Sequence, residues 1–125
     1  MKKTLFHIAL FSLLCASCDY DEGIDVHDVT VQLVYPTTYD VQPYRGARVE
    51  LRDAFASIFV DSTDAQGQAH FLVPPGIYSI TSANTLLKDG YRYICNGTMA
   101  DIVIAPDSAK HIELNLLVSR RRVVQ

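Results

Sequence analysis

A chain of 125 residues, 49% hydrophobic and 20% charged, is long enough for one hydrophobic core and too short for a second domain or a large enzyme. Its formal charge of −3 holds no basic excess, which argues against nucleic acid as a partner. Lys2 and Lys3 are two of the eleven basic residues, so the rest of the chain sets nine against fourteen Asp and Glu.

Those two lysines lead into an apolar run, residues 5–14, broken only by His7 and Ser12; the small residues Ala16 and Ser17 then precede Cys18. Basic, apolar and small in that order is a secretory signal, and about ten apolar residues are too few to span a ~30 Å bilayer core as a helix. Residues 1–17 are therefore expected to be removed. Cys15-Ala16-Ser17-Cys18 resembles a bacterial lipobox, with Cys15 standing where Leu is usual. The resemblance implies cleavage before Cys18 and acylation of that cysteine; an ordinary secreted protein cut near the same point is the alternative. Acyl chains contribute ~0.8 kcal/mol per buried CH₂, so several of them would hold a small domain on a membrane.

Residues 18–28 carry five carboxylates and read as a solvated tether. Within it Asp19, Asp21 and Glu22 resemble the acidic surface-export signal of Bacteroidetes lipoproteins, which places the chain on the outer membrane and cell surface. Under the enterobacterial sorting rule, Asp19 would instead retain it at the inner membrane.

From Val29 onward the apolar residues recur with period two, in short runs separated by Gly, Pro, Asn and Asp. Val29, Val31 and Leu33 form one inward face, and Ala47, Val49 and Leu51 a second. Ala56, Ile58 and Val60 read as a third, Ala69, Phe71 and Val73 as a fourth, and Tyr78 and Ile80 as a fifth. Further strands are expected at 91–95, 102–104 and 111–118, the last with Ile112, Leu114, Leu116 and Val118 on one face. Asp64-Ala65-Gln66-Gly67 reads as a hairpin turn and Pro74-Pro75-Gly76 as a strand break. Residues 36–46 read as a crossing between sheets, and 84–90 as a second long loop. No window has a helical stripe. The pattern predicts an all-β fold, a single antiparallel β-sandwich of seven or eight strands over residues 29–119, with 120–125 as a basic tail.

Gly46-Ala47-Arg48-Val49-Glu50-Leu51, then Thr63-Asp64-Ala65-Gln66-Gly67-Gln68-Ala69-His70-Phe71, then Pro74-Pro75-Gly76-Ile77-Tyr78-Ser79-Ile80 resemble the carboxypeptidase regulatory-like family, related to Cna-B-type modules. The resemblance covers about 35 residues in order. It implies a transthyretin-like (prealbumin-like) sandwich serving as a spacer, stalk or accessory module, including beside TonB-dependent outer-membrane receptors. It carries no information about a ligand.

The chemistry-bearing residues are scattered. His27, His70 and His111 are far apart in sequence and form no zinc-binding spacing, so no metal or other cofactor is expected. Asp61-Ser62-Thr63-Asp64-Ala65-Gln66-Gly67 lacks the ligands of a calcium loop. Tyr44-Arg45-Gly46-Ala47 is a near-copy of the tetrapeptide that closes hydroxyisourate hydrolases, but here it is mid-chain. No catalytic residue is assigned. Cys95 shares a face with Tyr91 and Tyr93 and is expected to be a buried thiol. Ser62 and Ser108 each follow an Asp, in tripeptides that look like Bacteroidetes O-glycosylation motifs. Arg120, Arg121 and Arg122 read as a solvated tail that limits strand-edge aggregation, or as a contact for anionic lipid or an acidic partner. A binding surface is expected at Tyr35, Tyr39, Tyr44 and Arg45, as exposed loop aromatics with an arginine.

The expected function is a non-enzymatic, lipid-anchored envelope module, with a membrane and an envelope protein such as an outer-membrane receptor as partners and no nucleic acid. The alternatives are a nutrient-binding lipoprotein serving a TonB-dependent transporter and a small hydrolase on a transthyretin-like scaffold.

Overall fold

The computed structural model describes residues 26–106 and 109–123. Eight strands follow in chain order: β1 (His27–Val34), β2 (Arg48–Asp53), β3 (Ile58–Ser62), β4 (Gln68–Val73), β5 (Gly76–Lys88), β6 (Tyr91–Ile104), β7 (Lys110–Asn115) and β8 (Leu117–Arg122). They form two sheets, one ordered β4-β1-β7 and the other β3-β2-β5-β6-β8. Every pairing is antiparallel except β1 with β7, which is parallel. The described residues contain no helix, and the fold is the all-β sandwich expected from the period-two pattern.

Alternation builds the core directly. Val29, Val31 and Leu33 of β1, with Leu114 of β7 in the same sheet, face Val49 and Leu51 of β2 and Ile80 of β5 across the interior, all at most 1% exposed. Burying each such side chain contributes about 1.5–3 kcal/mol. Gln32, by contrast, points outward, where its amide donates to Gln66 O at 2.9 Å and accepts from Gln68 Nε2 at 3.0 Å.

Several expected elements differ in place or phase. Residues 84–90 are not a loop: β5 runs to Lys88, and a two-residue turn of Asp89 and Gly90, with φ of 53° and 79°, returns into β6. Positive φ at both central residues matches the right-handed twist of the flanking strands. The stretches 91–95 and 102–104 are the two ends of one strand, β6. Between them Ala100 and Asp101 oppose Ser79 as a bulge, with Asp101 at φ 58°.

The stretch 111–118 divides at Leu116, whose N–H donates to Val34 O at 2.9 Å as the chain passes from one sheet to the other. Its alternation survives because both sheets face the same interior. The Asp64–Gly67 turn closes on itself, through Gly67 N–H to Asp64 O at 3.0 Å, but β3 and β4 leave it into different sheets. β3 has the opposite phase to that expected: Ile58 and Val60 are exposed, and Phe59 packs inward beside Tyr78. The acidic stretch 18–28 ends earlier than expected, since β1 already begins at His27. Arg120–Arg122 are not a tail but the end of β8.

Candidate functional site

Three connections meet at one end of the sandwich. Residues 35–47 cross there from β1 to β2, the Asp64–Gly67 turn lies beside them, and the β5–β6 hairpin projects past both. Val41, 4% exposed, pins the crossing segment to the core. Gly46 at φ 98° turns the chain into β2, its N–H donating to Thr63 O at 2.9 Å.

Three of the four residues expected to form an exposed surface are turned inward. Tyr35 and Tyr44 lie 6.0 Å apart, half-buried against the core, and their hydroxyl oxygens are buried with no partner of hydrogen-bond geometry among the described residues. Burial, foremost, raises the pKa of both phenols, and each also senses the Cys95 thiol. Tyr39 meets the ring of Tyr93 edge-on at 5.9 Å. An open sandwich end needs apolar cover, and these rings supply it. Arg45 alone is exposed. Outside this plug lies an open groove of about 480 Å³, lined by Gln32, Tyr35, Thr37, Tyr39, Asp40 and Gln42 among others.

The same end carries a basic edge that the sequence pattern did not place. Among the described residues β8 pairs with β6 on one side only, in the register Tyr91↔Arg122, Arg92↔Arg121 and Tyr93↔Arg120. The Arg120 guanidinium sits 4.4 Å from the Tyr91 ring and 4.9 Å from Tyr39, a cation–π contact on both rings. Lys88 donates to Asp40 O at 2.9 Å, tying the hairpin to the crossing loop. A second hollow, about 580 Å³, lies at the hairpin tip against Leu87, Lys88, Gly90, Tyr91 and Val123. The Asp89-Gly90 dipeptide was the signal that could have revealed this hairpin, and with it a partner strand for the arginines.

On the outer face of the three-stranded sheet, the fold joins residues that spacing had left apart. Thr30 Oγ1 lies 3.3 Å from His70 Nδ1, and His70 Nε2 lies 3.3 Å from Asp64 Oδ2. This hydroxyl–imidazole–carboxylate chain stands on an open sheet surface, with the His70 side chain 58% exposed. Asp64 is held below the ordinary carboxylate range chiefly by the Gln68 N–H, with further help from His70 and the Gln66 N–H. His111 is exposed on the same face, in register with Thr30. Among the described residues no group of three His, Cys, Asp or Glu side chains is arranged to hold a metal ion.

Cys95 is a free, fully buried thiol whose pKa burial pushes up. Ser62 is exposed at the end of β3. Cys18, Asp19, Asp21, Glu22 and Ser108 lie outside the described residues. No family model matches the chain, and no curated protein matches it in sequence.

Proposed function

We propose that the chain is a non-enzymatic, lipid-anchored module of the bacterial envelope, held through Cys18 at the outer membrane and acting as an accessory or interaction domain of the carboxypeptidase regulatory-like kind. The observation that carries this reading is the polarity of the sandwich. β1 begins at His27, directly after the acidic stretch, and enters the sheet beside Val73 and Lys110. The crossing loop, the hairpin tip and the arginines of β8 lie at the opposite end. A strand as long as β5, 13 residues at ~3.3 Å each, spans roughly 40 Å. A chain anchored at Cys18 thus presents its tyrosine and arginine end away from the membrane that holds it.

Metabolic labelling with a palmitate analogue tests the anchor. Label on the wild-type chain and none on Cys18→Ala is the expected result; label that survives the substitution overturns it. The 480 Å³ groove supports a second reading, a small-molecule-binding lipoprotein that serves a transporter. Co-purification of an outer-membrane receptor with the tagged chain would favour that reading over a purely structural module.

A further inference from the structure

We propose that the free edge of β8 is a docking strand for an extended acidic peptide segment of a partner protein. This goes beyond the anchored-module reading and does not depend on it.

Three features of the edge lead there. First, β8 is the last strand of its sheet and is exposed along most of its length. Away from β6, its outward-facing N–H and C=O groups can pair with an added strand. Second, Arg121 lies directly across from Arg92. Like charges opposite each other on one face are destabilising, and neither guanidinium forms an ion pair with an acid among the described residues. A carboxylate on an added strand beside Arg121 would sit on that face and relieve the repulsion. Third, Arg120 is already ordered between Tyr39 and Tyr91, so less side-chain freedom is lost when a partner arrives.

The arginines also select the occupant. A second copy adding through its own β8 would set arginine against arginine, which closes the edge to self-association. An acidic strand meets no such penalty. The charge that protects this edge from its own kind therefore defines its ligand. The whole chain is acidic at −3, so the attraction is local to this end.

The test uses the full chain in non-ionic detergent and two fluorescent peptides of equal charge. Thr-Glu-Val-Glu-Val-Glu-Thr alternates its glutamates onto one face of a strand; the same sequence N-methylated at each of residues 2–6 has no central N–H to donate from either edge and cannot pair as one. Anisotropy should show binding of the first that weakens with added salt, and at least about tenfold weaker binding of the second. Arg121→Glu should weaken the first by about tenfold or more, and Arg92→Glu, on the neighbouring strand, should act in the same direction. Thermal melts of both variants report that they fold. Equal binding of the two peptides would reduce the edge to a charged surface and overturn the proposal. So would no binding at ~1 mM, binding indifferent to both substitutions, or preference for phosphatidylglycerol vesicles over the first peptide. Loss of the Cys18 anchor leaves every one of these outcomes unchanged, so the two ideas fail separately.

Discussion

Thr63 locks Ala47 into the sandwich with a single hydroxyl: its Oγ1 accepts the Ala47 N–H at 3.0 Å and donates to Tyr44 O at 2.8 Å. The side chain is 3% exposed, and the Thr63 N–H donates to Ala47 O at 2.9 Å, so the crossing loop is joined to the end of β3 from both sides. Thr63→Val keeps the shape and strands a buried donor and a buried acceptor. Each such loss costs about 1–3 kcal/mol, and urea unfolding should show the variant destabilised by about 2–4 kcal/mol. Thr63→Ser, which keeps the hydroxyl, should recover most of it.

Gly97 stands where the chain changes sheets. A Cβ there would come within 2.8 Å of Leu116 Cδ2 and 2.9 Å of Asn115 O, and the second of these is backbone. Gly97→Ala must push the β7–β8 junction away from β6, at about 1–3 kcal/mol by the cost of overpacking. A melt lowered for Gly97→Ala and unchanged for Gly90→Asn, at an open turn position that tolerates positive φ, would separate close approach from glycine flexibility.

Asp64 gives the fold an acid-sensitive component. Its Oδ1 accepts the N–H groups of Gln68 at 3.0 Å and Gln66 at 2.9 Å, and its pKa lies below the ordinary 3.8. A depressed folded-state pKa contributes stability above the unfolded value, and that contribution is lost as pH falls through the folded one. Unfolding free energy measured by urea should therefore decline below about pH 4. The decline should be shallower in Asp64→Asn, which keeps the Oδ1 acceptor and cannot titrate. An unchanged slope would assign the acid loss to other carboxylates.

Strands with a clean inward phase were legible from sequence, and those whose phase is masked were not. Val49 and Leu51 alternate with charges, and Ala69, Phe71 and Val73 alternate with polar residues or an exposed Leu72, so their faces could be read. Ile58, Phe59 and Val60 are consecutive apolar residues on an edge strand and carry no phase; only packing against Tyr78 chooses Phe59. The far half of β5 reads as loop because its inward side is polar. There Ser82 Oγ donates to Arg48 O at 2.8 Å, and the Asn84 amide accepts the Arg48 N–H at 2.7 Å, extending the sheet by side chain rather than backbone. Tyr35, Tyr39 and Tyr44 have the composition of an interface, and their inward turn follows from neighbours distant in sequence, Tyr93 and Arg120 among them. The three arginines of β8 offered no apolar alternation at all.

Cys95 should behave as core. Burial leaves its thiol protonated at neutral pH and out of reach of reagents. Native protein treated with iodoacetamide and mapped by mass spectrometry should show no label at Cys95, and full label after denaturation in guanidinium. Native labelling at a rate like that of a free thiol would mean that β6 opens far more often than a central strand should.

The parallel pairing of β1 with β7 has a consequence for how the chain comes to be folded. β1 is the middle strand of its sheet, and one of its two neighbours comes from the last part of the chain. A polypeptide that emerges N-terminus first therefore holds Val29, Val31 and Leu33 without their full cover until β7 has appeared. Closure waits on a long-range contact, and such contacts slow folding. The three-stranded sheet is therefore completed only when β7 docks beside β1.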